Sequence, residues 1–236
     1  MIAMLTFSAV AALLVYLAGR GDAARDPRLT LVALGLLAVF PVLWFFLPKV
    51  GVLPAGAGSA TGGEGSGISW LWIAGAVWAA GFSYGAVRLV LAARGISGWR
   101  MRSVLSGSED GVEIRRLDGL RGPVAAGVFR KVVFVPAAWE TWPHETRRMV
   151  MEHELAHHRR RDPLWRWIAE IACVVNGCNP LVTWMARRLA EQCEYACDAE
   201  VLSRGGVTAR DYARLLCDFA ESGAPRVIPR CHPTTR

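Results

Sequence analysis

Three long stretches without a charged side chain fill the first third of the chain, and any fold must find an apolar place for them. Ile2–Ala18, Leu29–Leu47 and Ile68–Val87 contain 17, 19 and 20 residues and no Asp, Glu, Lys or Arg. At about 1.5 Å of rise per residue, helices of these lengths approach or match the roughly 30 Å hydrocarbon core of a bilayer. The composition agrees, with 53% of residues hydrophobic, more than an ordinary soluble domain carries. The expectation is three N-terminal transmembrane helices. Pro41 within the second is tolerated in a membrane helix, and Gly81 and Gly85 in the third would let a neighbouring helix approach closely. A cleaved signal peptide is the competing reading of the first run. No basic residue precedes that run and no small-x-small cleavage pattern follows it.

Basic residues set the expected orientation. The link Gly19–Arg28 carries Arg20, Arg25 and Arg28, whereas Pro48–Gly67 is rich in Gly and Ser with Lys49 and Glu64 as its charges. Arg88, Arg94, Arg100 and Arg102 follow the third run. Positive residues stay cytoplasmic, so the N-terminus is expected outside and everything beyond Arg88 in the cytoplasm. The net charge of +7 then reflects loops beside anionic lipid. No nucleic-acid-binding motif accompanies it, and direct nucleic-acid binding is not expected.

These features divide the chain into a membrane domain at 1–93, a cytoplasm-facing domain at 94–222 and a disordered tail at 223–236. Within the second unit, Val112–Arg115 alternates as a half-buried strand does. The β-branched run Lys131–Val135, closed by Pro136, reads as another. Gly119, Gly122, Pro123 and Gly127 punctuate the stretch between, predicting a small sheet of two to four strands. A helix follows, with Thr141 as N-cap and Pro143 and Glu145 in its first turn, running to about Arg160. Asp162-Pro163 opens the next, with Asp162 as N-cap. Its body, Leu164–Val175, is apolar but carries Arg166 and Glu170, so a core helix and an interfacial or re-entrant helix are both open. A long helix extends from Pro180 to about Leu202, stopped at Gly205-Gly206. Thr208–Asp211 resembles a capping box for a short last helix.

The chemistry concentrates at His153-Glu154-Leu155-Ala156-His157. Side chains four apart share a helix face, so both imidazoles can reach one ion while Glu154, one step round, can touch a water on it. A catalytic zinc site needs three protein ligands and an open position. The best third ligand is Glu194, with Glu191 one turn earlier as a rival. Asp198, one turn beyond Glu194, could accept a hydrogen bond from a ligand imidazole. The zinc-motif helix is too charged to lie in lipid. His158 points about 100° away from the motif face and is expected at the surface or behind the ligands. The cysteines at 173, 178, 193, 197, 217 and 231 form no C-x-x-C pair and are expected reduced and buried. Cys193 and Cys197 share a face, where a second metal site is the alternative.

The run His153-Glu154-Leu155-Ala156-His157-His158-Arg159-Arg160-Arg161-Asp162, then Asn179-Pro180-Leu181-Val182, then Glu194-Tyr195-Ala196-Cys197-Asp198, resembles the BlaR/MecR-type membrane antirepressor metallopeptidases. Val133-Phe134-Val135-Pro136 and three preceding spans fit the same pattern. The resemblance implies a gluzincin-like α+β zinc peptidase domain, with His153, His157 and Glu194 as zinc ligands, Glu154 as general base and Asp198 as the acidic residue after the third ligand. It implies a protein substrate, by analogy a BlaI/MecI-type repressor. The penicillin-binding sensor of the β-lactam branch does not occur in this sequence. The strand before the zinc helix is expected to pair with an extended substrate. Tyr195, Tyr212 and His144 are the candidates for stabilising the oxyanion. Two readings compete: a quality-control membrane peptidase of the Ste24/HtpX type, and a non-enzymatic signalling or scaffold protein with structural zinc.

Overall fold

The computed structural model describes residues 2–18, 27–46, 70–177, 179–204 and 208–221. The loop expected at 48–67, the basic residues Arg20 and Arg25, the Gly205-Gly206 stop and the tail at 223–236 lie outside them. The described chain is mostly helical with one small mixed sheet.

Helices α1 (Ile2–Ala18) and α2 (Arg28–Phe46) coincide with the first two uncharged runs. Helix α3 is longer than the third run, extending without a break over Trp70–Arg102. The boundary drawn at residue 93 therefore falls inside a helix: the segment after Val87 keeps helical propensity through Leu89–Ala93, and neither Gly95 nor Gly98 ends it. Among the described residues, α3 alone combines the length and apolar composition needed to cross a membrane. Its outer face is bare, with Val77, Val87, Val90 and Leu91 all at least half exposed.

A β-hairpin comes next. Strands β1 (Val104–Glu109) and β2 (Val112–Leu117) pair antiparallel across Asp110-Gly111. Both turn residues have positive φ, 49° and 73°, as an Asp-Gly two-residue turn requires. Strand β3 (Val124–Ala126) and strand β4 (Val132–Pro136) complete the sheet in the order β1-β2-β4-β3, with β2 and β4 parallel. Strand β4 is buried along its whole length, because it has a partner on each edge and a helix on each face. Val133 and Val135 face Trp139, Met151 and Leu155, while Val132 and Phe134 face Ile96 and Trp99 of α3.

The chain turns through a 3₁₀ helix at Ala137–Thr141 into α4 (His144–Arg159). Thr141 does not cap α4: its hydroxyl donates to Ala138 O, and the N-cap position falls to Pro143. Helices α5 (Asp162–Val175), α6 (Pro180–Ser203) and α7 (Ala209–Glu221) follow. Asn179 caps α6 by accepting from Leu181 N, and Thr208 accepts from Asp211 N at the start of α7. The largest apolar core joins the first two helices to α5 and α6. Ala11 and Val15 of α1 and Leu34 and Leu37 of α2 pack with Ala169 and Ala172 of α5 and with Val182, Met185 and Leu189 of α6. Gly85 meets α5, where a Cβ would lie 3.0 Å from a Val174 methyl.

Candidate metal centre

Helix α4 lays its apolar side on the sheet through Met151 and Leu155, and this fixes which way the motif faces. His153 and His157 point away from the strands towards α6. Their rings lie edge to face, with centroids 4.9 Å apart. His153 Nε2 is 3.6 Å from one Glu194 carboxylate oxygen, and His157 Nε2 is 3.7 Å from the other. One ligand atom from each of His153, His157 and Glu194 falls within a cluster no wider than 4.8 Å. Two imidazole nitrogens and a carboxylate so gathered are the donor set of a zinc site with an open position. Glu191, the rival third ligand, pairs instead with Arg188 at 3.3 Å.

The outward nitrogens of both rings are engaged. His153 Nδ1 donates to the Tyr212 hydroxyl at 3.0 Å and faces Asp198 at 3.2 Å, while that hydroxyl donates to Asp198 at 2.7 Å. His157 Nδ1 lies 2.8 Å from Asp162 Oδ2. These contacts engage Nδ1 of each ring and aim both Nε2 atoms at the centre, the arrangement in which a carboxylate orients a ligating histidine. Burial alone would lower the His153 pKa, but hydrogen bonds to Asp198 and Glu194 overcome it and raise the value to about 10. Burial would raise Glu194, yet His153, His157 and Arg166 pull it down to about 2. Asp198 is held below the usual carboxylate range, against its burial, by hydrogen bonds from His153 and Tyr212.

Three participants escape a reading by spacing. Asp162, expected as the N-cap of α5, is the first residue of that helix. Arg161 stands in the cap position with φ of 61° and offers no side-chain cap. The Asp162 carboxylate is almost wholly buried against His157 instead. Arg166 Nη2 donates to Glu194 Oε1 at 2.6 Å. Tyr212 belongs behind His153, not on the Nε2 side, so it cannot reach an oxyanion there. Of the other two oxyanion candidates, Tyr195 is 53% exposed beside Glu194 on α6, and His144 is exposed at the first position of α4.

Cys197 approaches Asp162 at 3.3 Å and His157 at 3.2 Å. Burial, then the Asp162 charge, pushes its thiol pKa up, and the same causes lift Cys193 to about 12. The Cys197 thiol donates to Asp162, and the group gathered within 4.8 Å is His157, Asp162 and Cys197, not the expected Cys193–Cys197 pair. Cys193 and Cys197 are buried free thiols, but Cys217, expected buried, is exposed. His158, expected at the surface or behind the ligands, is buried and donates from Nε2 to Val132 O at 3.0 Å.

Glu154, next to His153 on α4, reaches the sheet. Its Oε2 accepts from Ala125 N of β3 at 2.7 Å. Strand β4, expected to receive substrate, is interior. The strand edge next to Glu154 belongs to β3.

A family model described as BlaR1 peptidase M56 matches residues 59–235 of the chain. The regulatory protein BlaR1 of Bacillus licheniformis is 28% identical over 83 residues, covering 35% of this chain and 14% of that protein. The chain therefore spans only a small part of the length of this relative.

Proposed function

Since the chain belongs to the BlaR1 peptidase M56 family, we propose that it is a membrane-embedded zinc endopeptidase that cleaves a cytoplasmic protein in a signalling pathway, with a transcriptional repressor of the BlaI/MecI type as the candidate substrate. The carrying observation is that His153 Nε2 and His157 Nε2 converge on opposite oxygens of Glu194, with Glu154 next to His153 on the same helix. On this reading α1, α2 and α3 span the bilayer, with the N-terminus outside and the peptidase side in the cytoplasm.

His153, His157 and Glu194 would hold the zinc ion, which when bound supplies Lewis acidity that brings the pKa of a water towards neutral and polarises a carbonyl. The remaining chemistry belongs to the chain. Glu154 takes the proton of the attacking water and returns it to the leaving amine. Ala125 N holds one oxygen of Glu154, leaving the other for that water. Asp162, Asp198 and Tyr212 keep both imidazoles in the tautomer that presents Nε2. The edge of β3 lies where an extended peptide could add as a strand.

Zinc content of the purified protein by elemental analysis, measured with cleavage of a co-expressed repressor, tests this. Near-stoichiometric zinc is expected in wild type and in Glu154→Ala, with zinc lost in His157→Ala and cleavage lost in both variants. Absence of zinc from wild type would sink the reading. Full cleavage by Glu154→Ala would leave the metal structural and favour the scaffold alternative.

A further inference from the structure

We infer that α5 and α6 form a re-entrant hairpin whose uncharged tip enters the bilayer among α1, α2 and α3 and so holds the candidate metal centre at the membrane surface. The inference rests on the membrane reading of the first three helices and adds a fourth embedded element, one that begins and ends on the same side.

Two independent measures of depth agree. The first is contact. Asn179 Nδ2 donates to Ser8 Oγ, near the middle of α1, at 2.9 Å. Asn176 Nδ2 donates to Leu37 O, at the middle of α2, at 3.0 Å. Trp78 Nε1 donates to Val175 O at 3.2 Å, and the same indole packs on Gly177, whose φ is +61°. Trp78 precedes Arg88 by ten residues, about 15 Å of helix and half a bilayer core. All three helices thus place Asn176, Gly177 and Asn179 near the midplane.

The second measure is charge. Between Glu170 and Arg187 lie 16 residues without a charged side chain. Five of them finish α5 and seven begin α6, giving arms of about 8 and 10 Å plus the turn, which is the reach of a half-bilayer hairpin and too little for a full span. Arg166 and Glu170 precede this stretch and Arg187 and Arg188 follow it. The tip is polar and buried: Asn176 Nδ2 donates to Leu37 O and Ala172 O and Asn179 Nδ2 to Ser8 Oγ, while Asn176 Oδ1 has no partner among the described residues. Ile171 and Trp184 face outwards at 40% and 39% exposure, the surface that lipid would cover. Glu194 follows Arg187 by seven residues, so the centre stands about 10 Å to the water side of Arg187. A substrate of this site is then a polypeptide segment delivered at the membrane surface.

The test uses the full chain in phosphatidylcholine–phosphatidylglycerol vesicles, with Cys178, Cys217 and Cys231 replaced by Ser. A nitroxide is attached at Trp184→Cys or Ile171→Cys, the second site serving if the first variant fails to fold. Val77→Cys on α3 and Glu109→Cys on β1 are the lipid and water references. Power saturation compares collision with oxygen and with a water-soluble nickel chelate. Labels at 184 and 171 should match the label at 77, with oxygen collisions in excess. If they match the label at 109 while 77 remains in lipid, the hairpin lies outside the bilayer and this inference alone fails. If the label at 77 also meets the nickel chelate, the membrane reading falls with it.

Discussion

Asp162 Oδ2 lies 2.8 Å from His157 Nδ1 although the two residues sit on different helices. The link is made by the turn at Arg160-Arg161, where Arg161 adopts a left-handed φ of 61° and folds the start of α5 back on the end of α4. Asp162→Asn keeps the size of the side chain and removes the charge that orients the imidazole. Zinc affinity should fall about 10- to 100-fold, as with other residues that hold a metal ligand from behind, with the fold retained. Competition against a chelator of known affinity reads this directly, and unchanged affinity would mean that the Asp162 carboxylate contributes nothing to ligand orientation.

That pair also marks where a reading of the sequence stops. His153 and His157 are legible because helical periodicity alone puts them on one face, and the same rule groups Glu194 with Asp198. The meeting of the two groups depends on how α4 crosses α6, and periodicity does not encode a crossing. Asp162 fits the pattern of an N-cap, and its local role is overridden by a buried imidazole that needs a partner. Tyr212 and Arg166 arrive from α7 and α5 by tertiary packing. Strand β4 is legible as a strand but not as an interior one, since its two edges are covered by β2, from earlier in the chain, and by the three-residue β3, too short to announce itself. The packing of α5 against α2 and α3 likewise comes from tertiary structure and not from its own composition, which Arg166 and Glu170 make ambiguous.

The hydrogen bond from Ala125 N to Glu154 makes a separate prediction about catalysis. Ala125 directs its N–H away from β4, so proline is compatible with the edge position while deleting the donor. Ala125→Pro should keep zinc and the thermal transition and slow cleavage about 10- to 100-fold, the loss expected for one hydrogen bond to a charged group of about 1.5–3 kcal/mol. A cleavage rate equal to wild type would show that Glu154 needs no anchor on β3.

His158 controls acid stability. Burial lowers its pKa below the ordinary 6.5 despite the hydrogen bond to Val132 O. The folded protein thus keeps this ring neutral while the unfolded chain binds a proton below about pH 6.5. Its contribution to stability is complete above that pH and is lost on acidification, by at most about 1.4 kcal/mol per pH unit, until the folded ring also titrates. Thermal unfolding of wild type and His158→Gln between pH 7.5 and 5 should give curves that converge towards low pH, because only the wild type loses this term. Parallel curves would contradict the assignment.

The raised pKa of His153 fixes how metal loading responds to pH. With its proton held to about 10 by Asp198 and Glu194 against the effect of burial, the metal-free centre carries an imidazolium throughout the neutral range. A metal ion must displace that proton to reach Nε2. Apparent zinc affinity should therefore fall about tenfold for each unit of acidification between pH 8 and pH 6, with about one proton released per ion bound. Calorimetry in buffers of different ionisation enthalpy counts the proton. Asp198→Asn removes the strongest interaction raising the His153 pKa, so its affinity should level off at a lower pH than in wild type, on top of any loss from poorer ring orientation. A pH-independent affinity in wild type would mean that His153 is neutral before metal arrives, and that the Asp198–Tyr212 pair acts on the position of the ring alone.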